Sequence, residues 1–220
     1  MQMNTAVTRS QESILQTNKV LKNTYLLLSM TLLFSGLMAA ASIFFQVPHG
    51  AAMIAFFVSF GLIWLVLPKT ANSAAGIPVL FVITGLIGLS LGPMLSFYLA
   101  VKPDIVLTAL GGTGAIFLGL SGYALTTRKD FSFMGGFLFV GVMVLILAII
   151  ANIFLQMPAM SLAISSAVIL LMSGMILYQT SAIIHGGETN YIMATASLFI
   201  SIVNIFVHLL SILGIMGGDD

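Results

Sequence analysis

The sequence predicts an all-α, polytopic membrane protein with seven transmembrane helices. Of the 220 residues, 60% are hydrophobic and 6% are charged, whereas a soluble domain is typically about half apolar and about a quarter charged. The mean hydropathy is +1.16. So few charges cannot cover this much apolar surface in water, and the same composition excludes a disordered chain. A net charge of +1 also disfavours nucleic-acid binding.

Seven apolar runs lie between turn-forming residues, and each has about the 20 residues that a transmembrane helix needs. They are residues 24–46, 51–67, 78–99, 104–126, 133–155, 159–181 and 191–214, numbered here as spans one to seven. The breaks contain proline, glycine or charge, as in Pro48-His49-Gly50. Because the loops are short, consecutive spans are antiparallel neighbours. Continuous apolar runs disfavour a transmembrane barrel, whose strands alternate over about ten residues.

The first apolar run also resembles a signal peptide, because three alanines at 39–41 imitate a cleavage site of small residues. The run continues beyond these alanines and begins only after residue 23, so we expect it to be retained as span one. The predicted organisation is a flexible cytoplasmic tail at residues 1–23, a seven-helix transmembrane domain at 24–214 and a short C-terminal tail at 215–220.

Basic residues predict the orientation. Six of the seven fall on one side of a seven-span arrangement: Arg9, Lys19, Lys22, Lys69, Arg128 and Lys129. Lys102 alone falls on the other side. Lysine and arginine are retained on the cytoplasmic side. The N-terminus is therefore predicted to be cytoplasmic, and the C-terminus is predicted to lie across the membrane from it.

The predicted interior of the membrane domain carries no charge. The acidic residues all fall in tails, in loops or at the edges of spans: Glu12, Asp104, Asp130, Glu188, Asp219 and Asp220. Ion pathways and proton relays usually need an intramembrane ionisable group, so transport coupled through a buried carboxylate is disfavoured. The three histidines lack metal-ligand spacing, and there is no cysteine. Neither a metal nor a cofactor is expected, and no arrangement of nucleophile, base and orienting group predicts an enzyme.

Span seven carries a polar stripe on one helical face. Its members recur at steps of four, three, four and three: Ser197, Ser201, Asn204, His208 and Ser211. Polar side chains in hydrocarbon seek partners, so the stripe is predicted to face the bundle. It serves either as interhelical hydrogen bonding that fixes the packing or as the lining of a narrow polar cavity. Spans five and six add isolated polar residues: Asn152, Tyr178 and Gln179.

Small residues and a proline mark spans three and four. In span three, Gly88 and Gly92 form a GxxxG pair that lets another backbone approach closely. Pro93 removes a helical hydrogen bond and frees the carbonyl of Leu89, so a kink is expected. Gly92 and Pro93 are therefore a candidate hinge, with a purely architectural role as the alternative. The small residues Gly111, Ala115 and Gly119 of span four predict a second packing stripe.

One weak internal echo links the ends of spans one and five. Residues 43–48 read Ile-Phe-Phe-Gln-Val-Pro and residues 153–158 read Ile-Phe-Leu-Gln-Met-Pro. The two spans run in the same direction, so a parallel repeat of three spans on either side of span four is one interpretation. Chance similarity over six residues is the other.

Three segments resemble the Bax inhibitor family of seven-helix membrane proteins, also called the transmembrane Bax-inhibitor-motif family. They are residues 119–136, which join spans four and five, residues 85–95 in span three and residues 191–213 in span seven. The resemblance covers the chain from about residue 20 onward. It implies a fold in which six helices surround a central seventh. It also implies a pH-sensitive calcium leak that two aspartates on spans six and seven gate.

The chain departs from the family at those two aspartates. By resemblance, the aspartates correspond to Gln179 and Ser201. Neither side chain ionises, so a proton switch at this pair is excluded and the calcium leak is the disfavoured alternative. The candidate polar core or pore lining is Gln179, Ser197, Ser201, Asn204 and His208.

The branch of the family that this chain resembles most is bacterial. The resemblance implies an inner-membrane protein that interacts with the membrane-anchored AAA protease FtsH and its modulators, both as substrate and as competitor. The segment that begins at Met1 and ends at Lys22 is polar and, when extended, reaches about 70 Å. It is either a handle that enters the protease or an ordinary N-terminal tail. The expected function is modulation of FtsH in membrane quality control.

Overall fold

Eight α-helices make up the fold in a computed structural model that describes residues 2–217; for residues 2–14 and Gln16 only the backbone is described. The helices are α1 (Gln2–Phe44), α2 (His49–Gly61), α3 (Leu67–Thr70), α4 (Gly76–Val101), α5 (Pro103–Thr127), α6 (Met134–Leu155), α7 (Pro158–Ile184) and α8 (Tyr191–Met216). A π-helical turn, Leu62–Val66, joins α2 to α3. Within the described residues, seven helical stretches are long and apolar enough to cross a membrane, as predicted.

The ends of two spans differ from the prediction. Within the residues whose side chains are described, span one extends from Thr17, seven residues before the predicted start. Helix α1 contains neither glycine nor proline before Gly36. Span two continues through Pro68 to Thr70 instead of stopping at residue 67. A proline ring clashes with the carbonyl four residues earlier, that of Trp64. The π-helical turn contains this residue and widens the helix there, so the span passes the proline without ending.

The predicted boundary between the tail and span one is not a boundary of secondary structure. Helix α1 runs unbroken from Gln2 through residue 23, so the flexibility of residues 1–23 stays a prediction. At the other end, α8 reaches Met216, two residues into the predicted C-terminal tail. Asp219 and Asp220 lie outside the described residues.

The last helix, α8, packs against α1, α4, α5 and α7, while α1 packs most extensively against α4. Leu198, Ile205 and Leu210 of α8 have no exposed surface. The central position of this helix among six others stays a prediction. In contrast, α6 packs mainly against α7, and Leu138 is its one buried residue. Most of α6 therefore faces the surroundings of the bundle, which in a membrane are lipid chains.

Candidate functional site

The polar stripe of α8 meets polar groups of α7. Ser201 is buried, and its hydroxyl donates to the Ser197 carbonyl at 3.0 Å and points to the Gln179 amide oxygen at 3.4 Å. Gln179 and Ser201, which by resemblance correspond to the family's two aspartates, are therefore close enough to hydrogen-bond across the interface of α7 and α8. The longer of the two distances makes this contact a weak link.

One turn deeper along the stripe, Asn204 bonds within its own helix. Its side-chain amide donates to the carbonyl of Ile200 at 2.8 Å. Side-chain bonds of this kind satisfy a polar group without a partner helix. Asn204 is half-buried, and this bond engages one of the two N–H donors of its side chain.

His208 bonds to a second residue of α7. Its Nδ1 lies 3.1 Å from the hydroxyl of Ser165. Both residues line a cavity of 540 Å³ between α6, α7 and α8. Asn152 and Ser161 line the same cavity and bond to each other at 2.8 Å. One end of the interface therefore borders a cavity that polar and apolar side chains line together, without an acidic one.

The internal echo corresponds to two similar turns. After α1 and after α6 the chain turns through Gln46 and Gln156, both with a φ of 49°. Each glutamine is followed two residues later by a proline, Pro48 or Pro158, at the start of the next helix. The echo therefore describes a shared helix-ending turn. A repeat of three spans stays a hypothesis.

The candidate hinge is a tightly packed contact between α4 and α1. A Cβ at Gly88 would overlap the carbonyl of Ser35, and one at Gly92 would overlap the side chain of Ser42. The hydroxyl of Ser42 donates to the Leu89 carbonyl at 2.8 Å, which is the group that Pro93 leaves without a helical partner. Helix α4 continues through the proline. The geometry favours the architectural role over the hinge.

The predicted packing stripe on α5 is wrong for the described chain. Gly111, Ala115 and Gly119 are exposed, and a Cβ at either glycine would meet nothing within 4 Å. Small residues permit the close approach of a second helix, but their presence does not mean that a helix of the same chain packs there. This side of α5 faces the surroundings of the bundle.

The opposite end of the bundle holds a smaller cavity of 270 Å³, where α5 and α7 end. Thr17, Arg128 and His185 line it. Below it, Ser181 clamps the loop after α5. Its hydroxyl accepts from the N–H of Phe131 at 2.9 Å and donates to the carbonyl of Lys129 at 3.2 Å. Ser181 thus fixes the loop of the first family-like segment, residues 119–136, to α7.

Asp130 in the same loop is fully exposed. Its carboxylate accepts from the N–H of Ser132 at 2.8 Å, and this bond holds the pKa of Asp130 below its ordinary value of 3.8. Asp104 is also exposed, and Glu188 is half-buried in the turn after α7. Among the described residues, no group of three or more His, Asp or Glu side chains is placed to hold a metal ion.

Sequence reasoning missed four polar residues that organise these contacts: Ser42, Ser165, Ser181 and Asn190. The first three are single hydroxyls with no local pattern around them. Asn190 did have a signal, because asparagine directly before an apolar run is a typical helix N-cap. It accepts from the N–H groups of Ile192 and Met193 and donates to the carbonyl of Ala71. It thereby ties α8 to the loop before α4.

Comparison with known proteins confirms the predicted resemblance. The family model described as "Inhibitor of apoptosis-promoting Bax1" matches residues 17–218. The chain is 51% identical over 208 residues, which cover 94% of each chain, to "Modulator of FtsH protease YccA" of Escherichia coli K12. It has the same identity and coverage with "Inner membrane protein YccA" of Escherichia coli O6:H1. A membrane protein of Vibrio cholerae is 49% identical over 215 residues, 97% of this chain and 96% of the relative.

Proposed function

The chain belongs to the Bax inhibitor family, and from this premise we propose that it is a partner and modulator of the membrane protease FtsH, and one of its substrates. The observation that carries the proposal is the 51% identity, over 94% of both chains, to a protein named as a modulator of FtsH. Two proteins this similar along almost their whole length have the same membrane domain. The proposal makes this chain a binding protein rather than an enzyme.

The proposed orientation places the N-terminus in the cytoplasm and the C-terminus in the periplasm. It rests on Lys19, Lys22, Lys69, Arg128 and Lys129, which the alternation of the spans brings to one end of the bundle. A cytoplasmic N-terminus would present the first residues of α1 on the side from which an ATP-driven protease pulls its substrates.

The N-terminal part of α1 is suited to unfold locally. We propose that residues 2–16, most of which are polar, continue α1 beyond the bundle. An isolated helix of this length is only marginally stable in water. Melting it costs little free energy and converts a rod of about 22 Å, at 1.5 Å per residue, into an extended strand of about 50 Å, at 3.3 Å per residue.

A cation leak is the second candidate function, and the site disfavours it. Calcium ions take six to eight oxygen ligands and favour carboxylates. The interface of α7 and α8 offers Gln179, Ser201 and Asn204, which supply amide and hydroxyl oxygens but no carboxylate. The 540 Å³ cavity beside His208 is the observation in favour of a leak.

The proposal is tested by removing residues 2–14, which leaves the described side chains of the bundle intact. The half-life of the variant is measured in cells with and without FtsH, together with the half-life of a second FtsH substrate. The matched control carries a 13-residue sequence of the same composition in scrambled order. We expect the deletion to lengthen the half-life only when FtsH is present, and we expect the full-length chain to slow degradation of the second substrate. Equal half-lives with and without FtsH, together with no co-purification, would refute the proposal.

A further inference from the structure

An apolar groove runs along the side of the bundle between α1 and α5, with α4 and α8 as its floor. Its volume is 430 Å³. Ala39, Leu95, Val106 and Phe206 are among the buried side chains that line it. The backbones of α1 and α5 do not pack together along the groove. An aromatic contact between Tyr25 and Phe117, with ring centroids 6.0 Å apart, connects the two helices where Phe117 lines the groove.

The lining of the groove suits a hydrocarbon occupant. Of the 16 residues that line it, only Ser35 and Thr113 carry a polar side chain. The hydroxyl of Thr113 already donates to the Ala109 carbonyl at 2.7 Å, so it needs no ligand. The volume of 430 Å³ is many times the roughly 15 Å³ of such space that one water molecule needs, so the groove has room for part of an acyl chain.

The groove opens sideways through small residues. Gly36 and Ala40 of α1 line it and are exposed, and Leu110 of α5 is 53% exposed. A Cβ at Gly36 or at Gly114 would meet nothing within 4 Å. Because α1 and α5 both cross the membrane, the medium at this opening is lipid hydrocarbon, and a chain can enter without passing through water.

A cation lies at one end of the groove. Lys102 is the N-cap residue of α5, four residues before Val106, whose side chain lines the groove. It is half-buried, and its ammonium group donates to the carbonyl of Gly217. An ammonium group has three donors, and among the described residues the Gly217 carbonyl is the only acceptor that it bonds. The neighbouring acid, Asp104, is exposed.

We propose that this groove binds one phospholipid, with an acyl chain between α1 and α5 and the phosphate at Lys102. The apolar lining, the lateral opening and the volume select the chain. Lys102 supplies the charge that complements the phosphate, at the end of the groove where headgroups lie. The proposal is independent of the role with FtsH, because neither the groove nor Lys102 includes the N-terminal segment.

The test fills the groove without disturbing the packing. Gly36→Leu combined with Gly114→Leu places two side chains into open space inside it. The matched control is Gly111→Leu, which lies on the same helix, has equally open surroundings and does not line the groove. The purified proteins are titrated with phosphatidylethanolamine or phosphatidylglycerol in detergent, and bound lipid is counted by native mass spectrometry. Size-exclusion chromatography and circular dichroism verify that each variant is folded.

We expect the wild type and Gly111→Leu to retain one lipid at detergent concentrations that remove the others. The affinity of the filled variant for this lipid should be lower by about tenfold or more, because the leucines displace several buried methylene groups of the lipid. Lys102→Gln should weaken binding of both lipids, whereas Lys69→Gln, at the other end of the bundle, should not. The proposal fails if the wild type retains no lipid, if the filled variant retains as much, or if the control loses it equally. A dimer that the filled variant abolishes would assign the groove to a second copy instead.

Discussion

Removal of the Ser42 hydroxyl should destabilise the protein, and removal of Pro93 should cancel most of that effect. Ser42 is 2% exposed, and its hydroxyl donates to the Leu89 carbonyl. Ser42→Ala leaves this carbonyl without a donor, because residue 93 has no N–H. In a Pro93→Ala background the restored N–H of residue 93 supplies the helical bond instead. The two substitutions should therefore be coupled.

The expected magnitude follows from the burial of the contact. Interhelical hydrogen bonds in membrane proteins contribute about 0.6 kcal/mol on average and about 1.7 at most, whereas a buried polar group left unsatisfied costs about 1–3 kcal/mol. Since Ser42→Ala both removes the bond and leaves the Leu89 carbonyl without a donor, we expect the free energy of unfolding to fall by about 1–2 kcal/mol. In the Pro93→Ala background the same substitution should cost about 0.5 kcal/mol or less, since the carbonyl keeps a partner.

The measurement is a double-mutant cycle of reversible unfolding in mixed micelles, followed by circular dichroism. Ser90→Ala is the control: its hydroxyl donates to the Ile87 carbonyl of its own helix at 2.7 Å, and that carbonyl keeps its helical partner. It should cost only a few tenths of a kcal/mol. Equal costs of Ser42→Ala in both backgrounds would refute the reasoning, because the hydroxyl would then contribute nothing specific to the carbonyl that proline frees.

Three further predictions concern other parts of the chain. Gly88→Ala should destabilise by about 1–3 kcal/mol because the new Cβ overlaps a backbone carbonyl, whereas Gly36→Ala should cause no loss; thermal unfolding compares the two. Asp130 should stabilise its turn at every pH above its ordinary pKa of 3.8 and lose this contribution as the pH falls through its lower folded pKa. Amide exchange in the turn, corrected for intrinsic rates, should therefore become faster at low pH, whereas in Asp130→Ala it should be fast at all pH values. Liposomes with the wild type should show no calcium flux above empty vesicles between about pH 5 and 8, while Gln179→Asp with Ser201→Asp should introduce a pH-dependent flux, because carboxylates provide the ligands that calcium favours. Wild-type flux, or no flux from the double variant, would contradict the third prediction.

The seven spans could be predicted because hydrophobic length is a local property. A window of about 20 residues carries all the information that decides whether a segment can cross the bilayer. The exceptions are also local in cause: at Pro68 a π-helical turn accommodates the ring, so a residue that usually ends helices does not end this one. The start of α1 was missed for a related reason. Polar residues mark the end of an apolar span, but a helix continues through them when neither glycine nor proline interrupts it.

Contacts between helices could be predicted only in part. Pro93 identifies Leu89 as the carbonyl that needs a donor, but the donor is Ser42, 47 residues away, and nothing in the sequence selects it among many serines. The small residues of α5 illustrate the opposite error. Gly111 and Gly119 have the spacing of a packing face, yet they are exposed. Spacing shows that a close approach is possible, whereas the arrangement of the other helices decides whether it occurs.

The two candidate functions place sensitive residues in different parts of the molecule. A leak requires an ion to displace hydrogen bonds along α7 and α8, so substitutions at Asn204 or His208 would change its rate. Modulation of FtsH requires an accessible cytoplasmic segment, so those substitutions would alter only stability, and changes in residues 2–14 would alter turnover. Neither α7 nor α8 contains an acidic residue, so their interface lacks the carboxylates that calcium favours. The lack of carboxylates therefore disfavours the leak and leaves modulation of FtsH as the proposed function.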